Sequence, residues 1–366
     1  MTLDVAYRCE RGRLASLNVS GVINYAVSAM FLDNEAARTR RINAAIHQYE
    51  SPGRYYHNRY HVDTCIRAWY KLIGEFSTPA KAHAAFIALV YHDIVYDTHS
   101  SLNEENSVVE ALANFGDVSD EFTHDISRFI MATKFGAKPA DDDEALVRDI
   151  DLIAFVWKGY CANLETGIRT EYHHVPMEVY TTERKRILRK IYARPFFSPT
   201  FCRGNTVQVA RRNIAVCLSF NNATVGVAGT FDLLHEGHKH LITQAIGLSR
   251  PHGRLIIGFT SDEMASKKGH PVGTRTERES AFIDWFLDSP YSDHDINITT
   301  INDEVGDAMS GDIDILVVSE ESVNGGFSIV NEMINKGIPP VAVYTIPCVR
   351  DDAGDRISST NLRRRM

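Results

Sequence analysis

Two histidines placed three residues apart around a glycine, His235-Glu236-Gly237-His238, carry the most chemical information in this chain. They close the run Gly229-Thr230-Phe231-Asp232-Leu233-Leu234-His235-Glu236-Gly237-His238. It follows a short apolar stretch, Thr224 to Ala228, and leads into an amphipathic one ending near Ile246. That order reads as a strand, a tight glycine turn and a helix with imidazoles near its start. A helix start offers unpaired backbone N–H groups and the positive end of the dipole, a ready phosphate site. Imidazoles there add donors for a triphosphate whose charge grows as a nucleotidyl group is transferred.

Near the other end, Ile357-Ser358-Ser359-Thr360-Asn361-Leu362-Arg363 supplies a second arrangement of the same kind. Hydroxyls at a helix N-cap stand one turn before an arginine, again suited to phosphate oxygens. The two runs lie about 120 residues apart in one stretch of chain. Together they predict an α/β nucleotide-binding unit.

A different chemistry is written into the first half. His57 and His61 are spaced to share one helix face. His92-Asp93 stands at the end of the run Lys81 to Tyr96, which is apolar almost all round. Asp149 and Asp151 sit in another apolar segment. Polar groups at the end of a buried helix are costly unless something binds them. One histidine, a His-Asp pair and a distant aspartate on separate helices suit a divalent metal.

The elements that must position these groups differ between the halves. Up to about residue 200 the pattern is helical, with long periodic apolar segments. The segment Leu14 to Leu32 is interrupted by Asn18, Ser20, Asn24 and Ser28, and reads as an amphipathic helix, not a leader peptide. Beyond a linker within 204–222, strand and helix signals alternate, implying a parallel sheet with helices on both faces. The strands are expected at 224–228, 254–260, 297–301, 312–318 and 341–346, with helices at 238–249, 276–287 and 327–336. The expected organisation is two domains, 1–215 and 216–366.

Composition narrows the function. A 44% hydrophobic and 23% charged chain of 366 residues is ordinary for a globular protein of two domains. The net charge of −8 argues against a nucleic-acid partner. No run is long enough to span a membrane. Six cysteines (9, 65, 161, 202, 217 and 348) without a CxxC pair read as reduced thiols of a cytoplasmic protein. An oligomer is compatible with all of this.

On these motifs, residues from about 223 to 366 resemble the cytidylyltransferase-like nucleotidyltransferases, and within them the archaeal and eukaryotic type of pantetheine-phosphate adenylyltransferase. The likeness rests on Val227 to Asp232, Thr260 to Met264, Val317 to Glu321 and Ile357 to Thr360. It implies a Rossmann-like fold, Mg²⁺ with ATP, and a phosphorylated small-molecule acceptor, 4'-phosphopantetheine, converted to dephospho-CoA with release of pyrophosphate. His235 and His238 would then contact the ATP phosphates, and Gly229, Thr230, Phe231 and Gly237 would form the turn that receives the nucleophilic phosphate. Lys267 and Lys268 would offer charge, Arg278 (with Arg275 as its rival) would contact substrate, and Ser359, Thr360 and Arg363 would close over the β- and γ-phosphates.

Residues from roughly 40 to 215 resemble the HD-domain metal-dependent phosphohydrolases, an all-α bundle. The likeness rests on Arg54 to His61, Tyr91 to Asp97, Asn103 to Ser107, Asp149 to Leu152 and Ile168 to Tyr172. It implies that His61, His92, Asp93 and Asp151 bind Fe, Mn, Zn or Ni, with His57 or Glu104 handling protons or positioning a phosphate. Phe135, after Thr133-Lys134, stands where that branch commonly has a histidine. The expectation is a bifunctional enzyme. Its rivals are a cytidylyltransferase, or another nucleotidyltransferase, for a phosphorylated small molecule, with a helical half that only binds and regulates.

Overall fold

In the computed structural model, which describes residues 18–30, 34–156, 161–193, 206–303 and 305–365, the chain forms two compact units. One comprises residues 1–154, 166–173 and 197–206; the other 155–165, 174–196 and 207–366. Three segments that precede residue 216 thus contribute to the second unit.

The described elements of the first unit are all helical. They are α1 (Val19–Met30), α2 (Glu35–Gln48), α3 (Arg59–Leu72), α4 (Pro79–Tyr91), α5 (Asn103–Phe115), α6 (Asp120–Thr133) and α7 (Asp142–Asp151), followed by the end of α8 (Cys161–Glu171). Of the expected helix at 14–32, residues 14–17, 31 and 32 lie outside the described residues, as do Cys9 and Cys202.

Helix α4 is the core element: Ala84 to Tyr91 are all buried. Thr78 caps its start by accepting from the Lys81 N–H, and Pro79 fits the first turn, where no N–H partner is needed. The helix ends at Tyr91, so His92 and Asp93 stand in the turn just beyond it. Helix α3 begins later than the His57–His61 spacing predicts. Asn58 is extended and its side chain accepts from the N–H groups of Tyr60 and His61, fixing the cap there. His57 therefore lies outside the helix, on a bend, and the two imidazoles do not share a helical face.

The second unit carries the end of the helical region, α9 (Met177–Ala193) and α10 (Thr206–Ser219), and a five-stranded sheet. The strands are β1 (Thr224–Gly229), β2 (Arg254–Thr260), β3 (Ile296–Ile301), β4 (Ile315–Ser319) and β5 (Ala342–Ile346). They are ordered β3-β2-β1-β4-β5, every neighbouring pair parallel. The connections contain α11 (Glu236–Ser249), α12 (Asp262–Ser266), α13 (Arg275–Leu287) and α14 (Val323–Asn335), and α15 (Ser359–Arg365) closes the chain. Central β1 buries Val225, Gly226 and Val227, successive residues that alternate between its two faces, as a strand covered on both faces requires. Its neighbours β2 and β4 lead away on opposite sides, so the strand order reverses between β1 and β4. Ligands of such sheets bind beyond the strand ends at that point.

Candidate functional site

The turn after β1 is built under strain. Phe231 and Leu233 adopt φ of 53° and 47°, a region that costs a bulky residue on the order of 1–3 kcal/mol. Burial of the Phe231 ring against Phe259 and His238, with centroids 5.0 and 5.3 Å away, holds it there. From below, Arg278 clamps the same turn. Its buried guanidinium donates to the carbonyls of Thr230 (2.7 Å), Thr260 (2.8 Å) and Gly273 (2.8 Å), and to Asp262 Oδ1 (3.1 Å).

His235 is the N-cap of α11, and His238 lies in its first turn. Their rings stack with centroids 3.8 Å apart and planes 17° from parallel. Burial, then the neighbouring His235 and Lys268, push the His238 pKa down to about 3, so the ring is neutral at pH 7. Its Nδ1 is buried without a hydrogen-bond partner among the described residues. Burial, then Arg356, also lowers His235. A buried polar atom left unpaired is costly, which marks it as a group awaiting a partner. Gly237 sits in close approach: a Cβ there would lie 3.1 Å from the His235 ring and 3.2 Å from the Ile357 carbonyl oxygen, so one of them would have to shift by a few tenths of an ångström.

These groups line an open cleft of about 540 Å³ together with Gly229, Thr230, Phe231, Lys268, Ser359 and Thr360. The ammonium of Lys268 is pushed down, chiefly by burial. Lys267 is exposed and caps α12, and the cleft lining does not include it. Arg275 donates to the Thr299 carbonyl at 3.3 Å, pairs with Glu279 and packs over Phe259. Asp232, to which no role is assigned from sequence, accepts from Arg363 Nη2 at 2.9 Å, and its carbonyl accepts from Ser359 Oγ at 2.5 Å. Its place inside the same turn was the available signal.

A second, apolar cavity of about 200 Å³ adjoins this cleft. Gly226, Ile256, Gly258, Ile301, Leu316 and Ile329 contribute to its walls, and it shares Ala228, Leu241, Ser319 and Ser322 with the cleft.

In the helical unit, four side chains meet. His92 Nε2 lies 3.1 Å from His61 Nε2, 3.1 Å from Asp93 Oδ2 and 3.4 Å from Asp151 Oδ1. His61 Nε2 lies 3.2 Å from Asp151 Oδ1 and 3.7 Å from Asp93 Oδ2. Ligands held about 2.0–2.2 Å from one first-row ion stand roughly 3–3.6 Å apart, so the spacing fits a metal. His92 Nδ1 is tied to the Leu89 carbonyl at 3.0 Å, which turns Nε2 inward. Burial alone would depress His92, but Asp93 and Asp151 outweigh it and hold its pKa well up. Cys65 Sγ stands at the margin, 3.9 Å from His61 Nε2.

Beside this cluster, His57 Nδ1 meets Glu171 Oε2 at 2.7 Å, and the other Glu171 oxygen accepts from the N–H groups of Tyr55, Tyr56 and His57. The Tyr96 hydroxyl donates to the same carboxylate at 2.9 Å. Burial works against the His57 cation, yet the Glu171 hydrogen bond and the nearby carboxylates raise its pKa. Glu104 is raised mainly by burial and then by Asp93. Phe135 lies past the end of α6, largely exposed, in a groove with Arg128, Lys134 and Lys138.

The sheet order and the phosphate-suited groups at its switch point define a doubly wound α/β nucleotide-binding unit. Residues 227–365 match the cytidylyltransferase-like family, and the chain belongs to it. A phosphopantetheine adenylyltransferase of Methanosarcina mazei is 32% identical over 138 residues, spanning 38% of this chain and 88% of that protein. The protein of that name from Methanopyrus kandleri is 31% identical over 140 residues, 38% of this chain and 87% of that one. That from Thermococcus kodakarensis is 34% identical over 147 residues, 38% and 83% respectively. No helix among the described residues is long and apolar enough to cross a membrane.

Proposed function

We propose that the sheet-containing unit transfers the adenylyl group of ATP to 4'-phosphopantetheine. An acceptor phosphate oxygen forms a bond to the α-phosphorus of ATP. The bond from that phosphorus to the α–β bridging oxygen breaks, and its electron pair leaves with pyrophosphate. The nucleophile is already an oxyanion, so the site needs alignment and charge stabilisation more than a base.

The single observation carrying this reading is the junction of two spaces. A phosphate-suited cleft and an apolar slot lie side by side, with Ala228, Leu241, Ser319 and Ser322 in the walls of both. An acceptor with a phosphate at one end and a long uncharged arm fits that pair. The names of the archaeal relatives agree. His238, neutral and poorly solvated, would donate an N–H to the developing charge, with His235, Lys268, Ser359 and Thr360 alongside it. Mg²⁺ bound with ATP would neutralise part of the triphosphate. Arg278 serves by holding the Thr230 turn.

For the helical unit we propose a metal-dependent phosphohydrolase of the HD type. His61, His92, Asp93 and Asp151 would hold a divalent Fe, Mn, Zn or Ni ion. Such an ion lowers the pKa of bound water and polarises a phosphate ester. His57, oriented by Glu171, would face the ester as a proton donor. The buried free thiols of Cys65, Cys161 and Cys217 suit a reducing, cytoplasmic setting.

The test is pyrophosphate release by purified protein with Mg²⁺, comparing ATP with CTP, each with and without phosphopantetheine, and His238→Ala as the blank. Release that requires both ATP and phosphopantetheine is expected. Release with CTP and another phosphorylated acceptor would move the assignment to cytidylyl transfer.

A further inference from the structure

We propose that Asp232 is the positioning residue of the nucleotide side of the cleft, anchoring the C-terminal helix so that Arg363 presents its free edge to the triphosphate. This rests on the reading of the cleft as an ATP site.

Asp232 is buried, 4% exposed, and two separate segments converge on it. The Gly273 N–H, from the loop before α13, donates to Oδ1 at 3.3 Å. From α15, Arg363 donates through Nη2 (2.9 Å) and Nε (3.3 Å) to Oδ2, and Ser359 Oγ donates to the Asp232 carbonyl. A helix of seven residues has little stability of its own. The Asn361 side chain bonds locally, to the Arg356 carbonyl. Among the described side chains of α15, the long-range hydrogen bonds run to Asp232 alone. The strained turn therefore fixes where the C-terminal helix sits, and with it the cleft-lining Ser359 and Thr360.

A buried carboxylate beside a triphosphate would repel it unless matched by a cation. Arg363 is that match. It is not itself part of the cleft lining, its side chain stays 31% exposed, and its fork is only partly engaged. Nε and Nη2 face Asp232, while Nη1 bonds to nothing among the described residues. A guanidinium so oriented can keep its carboxylate and still donate to a phosphate oxygen. Asp232 thus acts through Arg363, and no contact of its own with substrate is required.

The experiment is calorimetric titration of the full chain with Mg²⁺ and ATP, for the wild type, Asp232→Asn, Arg363→Ala and the double variant. Asparagine keeps the shape and the Gly273 contact but removes the charge. Asp232→Asn is expected to weaken ATP about tenfold in the wild-type background and less than twofold in the Arg363→Ala background, the signature of coupled residues. Thermal melts and circular dichroism of each variant control for a loss of folding. Equal losses in both backgrounds, or unaltered ATP affinity in Asp232→Asn, would overturn the proposal. A wild type that binds ATP but releases no pyrophosphate with phosphopantetheine sinks the acceptor assignment and leaves this test intact. A wild type that binds no ATP overturns both.

Discussion

His61 and His92 turn their Nε2 atoms to within 3.1 Å of each other, and Asp151 Oδ1 lies within 3.4 Å of both. Two imidazole nitrogens and two carboxylates packed this closely need a positive charge among them. In the protein alone, protonation of His92 meets that need; a divalent ion would meet it more completely. Elemental analysis after purification with added transition metals should find about one equivalent per chain. Asp151→Asn or His92→Ala should lose most of it. A wild type that retains none under those conditions refutes the metal reading.

His238 supplies a pH prediction. Its pKa is ordinarily near 6.5 and falls to about 3 in the folded protein, so below pH 6.5 the unfolded chain binds the proton first. Stability from this group is complete above pH 6.5 and is lost as pH falls towards 3. The drop in melting temperature from pH 7 to pH 5 should therefore be smaller in His238→Asn than in the wild type. An equal drop would show that His238 titrates normally.

Removing the same imidazole should slow the transferase. Loss of one preorganised donor to developing charge typically costs on the order of 10²–10³ in kcat. His238→Ala should show that loss with a lesser change in the KM for ATP. A change confined to KM would mean the ring binds ground state and transition state alike.

Arg278 should prove structural before anything else. Lysine cannot reach three carbonyls with one ammonium, and each buried acceptor left unpaired costs about 1–3 kcal/mol. Arg278→Lys should destabilise the protein by about 3 kcal/mol in urea unfolding. If stability holds and only activity falls, the guanidinium touches substrate.

Gly237→Ala tests the close approach of α11 to the C-terminal segment. The new methyl would press on the His235 ring and the Ile357 carbonyl. Displacing the groups proposed to bind phosphate should lower kcat/KM for ATP by about tenfold or more while leaving the fold intact by circular dichroism. Unaltered kinetics would show that the segment yields freely.

The strand and helix alternation of the second half was legible in the chain because burial on both faces of a parallel sheet leaves continuous apolar runs. All five strands lie within three residues of their expected bounds. Short α12 was not anticipated, since one helical turn leaves no periodic pattern. The Asn58 cap was equally open to reading, but the i, i+4 spacing of His57 and His61 obscured it. Spacing says which residues would share a helix face, and a side-chain cap decides where the helix starts.

Residue identity by itself marked out the groups proposed to hold phosphate or metal: the His235–His238 pair, the Ser359-Thr360 hydroxyls, and the histidines and aspartates of the first half. Only the tertiary structure decided which of them meet. It turned Arg278 inward onto backbone carbonyls, left Lys267 outside the cleft, and tied Asp232 to Arg363 and His57 to Glu171. The reason is geometric. A local pattern reports what a side chain can donate or accept, while the partner it finds depends on segments more than a hundred residues away that packing alone brings within 3 Å.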